Sequence, residues 1–363
     1  MITGREKEIL DLIKSNPFIS QQQIADQLDI KRSSVAVHIL NLTRKGYIKG
    51  KGYLLKSSPY VIVIGGSNMD IAGFSANTIQ SRDSNPGSIV LSQGGVGRNI
   101  AENLCRIGVD TKLITAIGND FYGKQIIEHC SKLGVDLSLS KILSGHPTSV
   151  YLSVINHQGD MEVAISDMKI IDEINISHIK GHVSLLHNAA AIVADTNLRE
   201  DVLHYLIDCF PTNLFLDTVS TIKTQKIKGH LKNIHTIKPN RVEAEILINS
   251  SINTEKQIRK AIRNLIDLGI RNVVISLGEK GVAFGNKDQF EIFQPPSVTP
   301  KNTTGAGDAF MAGLVYGKLK KMSLKETIRF ASAMSQLTLE DDNTNNPNLT
   351  IALVNQKLDE KQR

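Results

Sequence analysis

The chain has 363 residues, 41% of them hydrophobic and 21% charged, with three Cys, no Trp and a formal net charge of +6. That length exceeds one small core and points to about two or three domains. The hydrophobic share excludes wholesale disorder, and the lack of any run of about 18 apolar residues excludes a membrane-spanning helix. Cys105, Cys130 and Cys209 are odd in number and form no Cys-x-x-Cys pair, which argues against a disulfide framework or a zinc finger. With a charged N-terminus and no apolar leader run, the expectation is a cytoplasmic protein with reduced thiols.

The positive charge is unevenly placed. Residues 1–56 carry ten Lys or Arg against five Asp or Glu, and residues 31–56 hold seven basic side chains and no acidic one. Such a block marks a solvated face or a polyanion partner. REKEILDLIKSN sets Ile9, Leu10, Leu12 and Ile13 on one side of a short helix. After a turn around Pro17, QQQIADQLDI is expected to bury Ile24, Leu28 and Ile30. A third helix, capped or started by Ser33 or Ser34, is expected to turn Val35, Val37, Ile39, Leu40 and Leu42 inward. GYIKGKGYLL reads as a hairpin turning at Gly50-Lys51-Gly52. Three helices and a basic hairpin resemble the winged helix-turn-helix of bacterial transcription regulators, over Arg5 to Leu55. The resemblance implies that residues 1–56 bind duplex DNA. Arg32, Ser33, Ser34 and His38 of the third helix would face bases or phosphates, and Lys49 and Lys51 of the wing would face phosphate. A helical module for protein contacts is the alternative.

Residues 56–60 (KSSPY) form a short polar linker into a second domain, 57–363. YVIVIGG is an apolar, β-branched run ending in glycine, as buried parallel strands do. TKLITAIG, AAIVADTN, LFLDTVS, IHTIKP and NVVISLG repeat the pattern between helical stretches, which predicts a doubly wound α/β sheet. GSIVLSQG and TSVYLSVINHQGDMEVAIS instead alternate with period two, the second turning at residues 157–160. They predict a small antiparallel lid with strands at about 88–94 and 148–167.

Asn302-Thr303-Thr304-Gly305-Ala306-Gly307-Asp308-Ala309-Phe310 runs into an apolar helical stretch. Two glycines at a helix start let the backbone approach a phosphate, and the free N–H groups there attract an anion. An Asp closing that turn can take a proton from an attacking hydroxyl. The turn resembles the C-terminal signature of the ribokinase/PfkB family of sugar and nucleoside kinases. Gly94-Gly95-Val96-Gly97-Arg98-Asn99-Ile100-Ala101 matches that family's N-terminal glycine signature, far away in the chain and in the correct order. Taken singly, Asp70 as a turn cap, Gly94–Gly97 as a hairpin turn and Glu243 as a solvated helix residue are ordinary features. Jointly, in this order on an α/β chain, they point to the family over about residues 60–355.

The resemblance implies a ribokinase-like sheet with a β lid, acting as a kinase on ATP with Mg²⁺. Asp308 would be the base, with Gly305, Ala306 and Gly307 forming the anion turn. Substrate contacts would come from Asn68, Asp70, Gly94, Gly95, Gly97, Asn99 and Asp167. Asn240 and Glu243 fit the family's NxxE element on the nucleotide side, Glu243 reaching the metal through water. Ser276, Gly278 and Gly281 fit the strand-turn bordering the nucleotide. Ribokinases carry an Asp six residues before the catalytic Asp, where it helps hold a potassium ion. This chain has Asn302, so the resemblance leaves a monovalent cation open. A homodimer through the lid sheets is also implied. His178, His182 and His187 have no further metal-ligand residues converging on them and read as helix histidines.

Finer features resemble bacterial pseudouridine kinases: Ser84-Asn85-Pro86-Gly87, Val96 with Arg98, Ile165-Ser166-Asp167-Met168 and Thr344-Asn345-Asn346-Pro347. Where ribokinases typically carry Lys, Val96 makes the pocket wall apolar, which suits a flat base. Pseudouridine is therefore the expected substrate. Another nucleoside, ribose or fructose is the alternative, as is a transcription regulator whose kinase-like domain only senses ligand.

Overall fold

Thr3 opens the first helix, Gly4–Ser15, with a capping box: its side chain accepts from the Glu6 N–H, and Glu6 accepts from the Thr3 N–H. Ser20 and Gln23 repeat the device at Gln21–Leu28. The computed structural model describes residues 2–17, 19–48 and 59–360, which fall into two units, Met1–Pro59 and Tyr60–Arg363. In the first unit Ile9, Leu10, Ile13, Ile24, Val35 and Leu42 are buried, and Leu12, Leu28, Ile30 and Ile39 pack against them. The third helix, Arg32–Arg44, begins before the serines: Lys31 is its N-cap, and Ser33 and Ser34 sit exposed in its first turn. Val37 and Leu40, expected inward, are 56% and 50% exposed. A helix advances about 100° per residue, so the core stripe of Val35, Ile39 and Leu42 leaves both on the outside. The expected wing, with Lys49 and Lys51, lies outside the described residues.

In the second unit, Tyr60–Ile64 is buried at every position. Ile62 and Ile64 point into one core cluster and Val61 and Val63 into the other, as a strand covered on both faces requires. The main sheet has eight strands in the order Phe290–Phe293, Val282–Gly285, Asn272–Ser276, Thr236–Lys238, Leu214–Asp217, Ala191–Asp195, Tyr60–Ile64, Asp110–Ile114. The six from Asn272–Ser276 onward are parallel, and the first two add an antiparallel edge. Helices Glu200–Cys209, Arg241–Ile248 and Glu255–Asp267 supply one core layer, and Val96–Arg106, Ala306–Leu319 and Leu324–Leu339 the other. The expected doubly wound sheet is thus present. The run TKLITAIG is divided: Asp110–Ile114 joins the main sheet, while Ala116–Gly118 pairs with Lys141–Leu143.

The lid is larger than expected, and mixed rather than antiparallel. Its strands run Gly87–Gly94, Asn68–Ser75, Val150–Ile155, Met161–Asp167, and the middle pair is parallel. Asn68–Ser75 escapes sequence reading because Asp70 and Gly73 lower its strand propensity. No helix among the described residues is long and apolar enough to cross a membrane.

Candidate active site

Parallel strands end at one edge of the sheet, so residues just past those ends converge. Gly65 and Gly66 follow Tyr60–Ile64; Asp195, Asp217, Lys238 and Ser276 close four neighbouring strands. The glycine stretches interlock there. A Cβ on Gly65 would stand 2.1 Å from Asp195 Oδ2, and one on Gly97 would stand 2.8 Å from the Gly65 backbone. Gly95 has φ +98°, and a Cβ on it would meet the Gly66 carbonyl at 2.5 Å. Asp195 accepts from the Gly66 N–H and the Asn197 N–H, both at 2.8 Å. Burial pushes its carboxyl above the usual range, against those two donors and the Lys223 charge.

Asn68 and Asp70 start the lid strand Asn68–Ser75, with the Asn68 amide donating to Asp70. Gly94 stands directly opposite: a Cβ there would fall 2.2 Å from Asp70 Oδ2, so only glycine leaves the carboxylate its place. Burial raises the Asp70 carboxyl, opposed by Asn68 and Arg98. Asp167 is exposed at the base of the outer lid strand, in register with Val150, and is not drawn into this cluster.

Gly305 caps the helix Ala306–Leu319 at φ +82°, where a Cβ would stand 1.9 Å from the Thr344 carbonyl. Ala306 and Gly307 form the first turn, where backbone N–H groups have no intrahelical partner. Asp308 is buried at the end of that turn and accepts from Asn99 Nδ2 at 2.7 Å. Burial and the neighbouring Asp217 push its carboxyl up to about 7, against Asn99 and Lys238. A carboxylate with that proton affinity can accept a hydroxyl proton near neutral pH. Lys238 lies alongside. Its Nζ is 3.0 Å from Asp217 Oδ2 and would stand 3.4 Å from a Cβ on Gly307. Burial opposes its charge, but Asp217, with Asp308 and Glu243 behind it, outweighs burial and holds the ammonium above its ordinary value. A fixed cation therefore sits beside the first turn of this helix.

Asn240 caps the helix Arg241–Ile248 in a capping box with Glu243. Glu243 Oε2 accepts from the Asn240 N–H at 2.9 Å and from the Thr218 hydroxyl. Ser276 bridges to Asn240 in the sheet, bringing the nucleotide-side candidates together. Gly281 turns there at φ +88°, where a Cβ would strike the Phe293 carbonyl at 2.2 Å, while Gly278 has φ +63° and open space beside it. Among the described residues no three His, Cys, Asp or Glu side chains are grouped to hold a metal ion. Asn302 Oδ1 accepts from the Thr304 N–H and its Nδ2 donates to the Asp342 carbonyl, so the amide ties the loop ahead of the turn.

Sequence reading passed over Asp195, Asp217, Lys238 and Lys223. Three of them carry one signal: each is the charged residue closing a buried apolar strand (AIVAD, LFLD, TIK), where an α/β sheet collects its chemistry.

Residues 58–351 match the family model of the pfkB family carbohydrate kinases, and residues 3–49 match that of winged helix-turn-helix DNA-binding domains. An uncharacterized sugar kinase of Escherichia coli K12 is 40% identical over 354 residues, 96% of this chain and 97% of that protein. The pseudouridine kinase of the same organism is 38% identical over 302 residues, 83% of this chain and 96% of that protein. The crystal structure of a candidate sugar kinase from Clostridium perfringens has a TM-score of 0.76 at 38% identity, covering 84% of this chain and 97% of that one. Arabidopsis thaliana ribokinase shares the fold, with a TM-score of 0.74 at 22% identity over 83% of this chain and 99% of that one. The chain belongs to the pfkB family of carbohydrate kinases, ATP-dependent phosphotransferases, and carries a winged helix-turn-helix domain ahead of the kinase domain.

Proposed function

We propose that the protein transfers the terminal phosphoryl group of ATP to the 5′-hydroxyl of pseudouridine, giving pseudouridine 5′-phosphate and ADP. The 38% identity to a pseudouridine kinase across 96% of that protein's length carries the choice of substrate. Val96, half-buried between Gly95 and Gly97, would offer the base an apolar contact. In this reading Asp70 and Asn68 hold sugar hydroxyls and Asp308 takes the 5′-hydroxyl proton as the oxygen attacks phosphorus. The N–H groups of Ala306 and Gly307, with the Lys238 ammonium, receive the charge of the moving phosphoryl group. Magnesium bound with the nucleotide neutralises phosphate charge, and Glu243 is the residue that would hold it through water. A mixture of pseudouridine and uridine tests the assignment: pseudouridine monophosphate alone is expected, whereas equal phosphorylation of both would remove base recognition from the account.

Two results bear on the substrate side and on acid–base chemistry. Gly94→Ala is expected to raise KM for the nucleoside about 10²-fold with a smaller change in KM for ATP, because the new methyl displaces Asp70 from its place. With the Asp308 carboxyl near 7, kcat is expected to rise from pH 5 to pH 8 with its midpoint close to that value, read from steady-state rates across the range.

The N-terminal unit is proposed to bind duplex DNA through Arg32, Ser33 and Ser34, which stand exposed at the start of the third helix, with His38 one turn on. Full-length protein should bind a duplex with an affinity that falls steeply with salt, and Arg32→Ala should weaken it and lower the salt slope by about 1. Binding insensitive to Arg32 would leave a protein-contact module.

A homodimer through the lid is proposed as well. Ile89 and Ile165 are 70% and 62% exposed, and Leu91, Leu152 and Val163 continue the same apolar face. Ile165→Glu is expected to halve the mass seen by analytical ultracentrifugation, and an unchanged mass would remove the lid from the interface.

A further inference from the structure

Arg98 is 2% exposed. Its Nε donates to the Gly94 carbonyl at 2.9 Å and its Nη2 to the Gln93 carbonyl at 2.7 Å, at the end of the lid strand Gly87–Gly94. Nη2 also donates to Asn99 Oδ1, and Nη1 pairs with Glu102. Glu102 is itself held by Arg106 at 2.7 Å and His129 at 3.0 Å. Burial disfavours the Glu102 charge, yet His129, Arg98, Asn345 and Arg106 together outweigh it and hold the carboxyl well below the usual range.

An Asn amide can be turned by 180°, which exchanges its donor and acceptor. With Oδ1 engaged by a guanidinium, Nδ2 is left to face Asp308, 209 residues away in the chain. We infer that Arg98 is a positioning residue that fixes the Asn99 amide as a donor to Asp308 and joins this setting to the end of the lid strand. The inference rests on the reading of Asp308 as the base of phosphoryl transfer.

The groups facing Asp308 are Asp217, Asp195 and Lys238 from three strand ends and Asn99 from the helix Val96–Arg106. Burial and the two carboxylates favour the protonated form; the Asn99 bond is the largest influence against it, ahead of Lys238. An inverted amide would present oxygen to the carboxyl, and a protonated Asp308 could donate to it. The proton would then be held more tightly and the base would be lost at neutral pH.

The test is a carboxyl ¹³C NMR titration of the full chain with labelled Asp, the Asp308 signal being assigned by its loss in Asp308→Asn. Arg98→Lys keeps a cation beside Glu102 but cannot fork between the strand carbonyls and Asn99. Its Asp308 midpoint is expected to rise by about one unit, roughly tenfold in proton affinity, the size of effect that one hydrogen bond to a carboxylate carries. Asn99→Ala should shift the midpoint similarly, and the double variant should go no further. An unshifted midpoint in Arg98→Lys, or additive shifts, would overturn the inference. If Arg98→Lys does not fold, the wild type decides: the Asn99 side-chain amide protons must move with the Asp308 midpoint, and an amide indifferent to it would contradict the proposal. In turnover, the acidic limb of kcat should move with the NMR midpoint while KM for ATP stays constant. A wild type that titrates in this way but phosphorylates nothing would support the positioning and refute the base role.

Discussion

Replacing Asp308 with Asn is expected to lower kcat by about 10²–10⁴-fold, the range lost with a positioned general base. The substitution changes little else: the amide fills the same space, the anion turn keeps its N–H groups, and KM for ATP should stay within a fewfold of the wild type. It should also stabilise the protein at alkaline pH. The folded-state carboxyl is raised to about 7, above its unfolded value. The fold therefore favours the protonated form, and this contribution is fully present below about pH 4 and is lost as pH rises through 7. Asparagine never ionises, so the melting temperature of Asp308→Asn is expected to exceed that of the wild type at pH 8 and to match it more closely at pH 5. Differential scanning calorimetry at the two values checks the sign. Wild-type turnover in Asp308→Asn would remove it from the base role.

Lys238→Met is expected to reduce kcat by about 10²–10³-fold, the loss typical of one preorganised charge-stabilising donor. Lys238 is buried, and its ammonium stands beside Gly307 in the first turn of the helix Ala306–Leu319, the turn proposed to receive the phosphoryl group. Its loss also strands Asp217, whose oxygen it approaches at 3.0 Å, and breaking a buried pair costs about 3–5 kcal/mol. The single variant should therefore be both slow and unstable. The double variant Lys238→Met/Asp217→Asn separates the effects. Removing the orphaned charge should restore most of the melting temperature while kcat stays low. Recovery of both together would make Lys238 a structural residue only.

Much of the kinase unit was legible because burial leaves a local trace. Runs such as YVIVI and NVVIS, short, rich in β-branched residues and followed closely by glycine, read as strands covered on both faces. The lid strand Asn68–Ser75 is not legible in this way, since Asp70 and Gly73 break its pattern. The edge strands Val282–Gly285 and Phe290–Phe293 follow Asn272–Ser276 in an antiparallel run, with no α-helix between them, and so fall outside the strand–helix alternation that marks the others. In the N-terminal unit, Val37 and Leu40 look like core by hydrophobicity, and helical phase puts them outside. The two glycine motifs are legible through their resemblance to the family's signatures, and Asn99 does meet Asp308. The charges around them were not found. Asp195, Asp217 and Lys238 become neighbours only through strand order, a long-range outcome that no local window contains.

The most direct measurement is ADP release by the purified full-length protein with ATP and Mg²⁺ over a panel of pseudouridine, uridine, other nucleosides, ribose and fructose. The account predicts turnover selective for pseudouridine, abolished by Asp308→Asn. Selective turnover of another panel member would contradict the substrate, and silence across the panel with ligand still bound would contradict catalysis and leave a sensor.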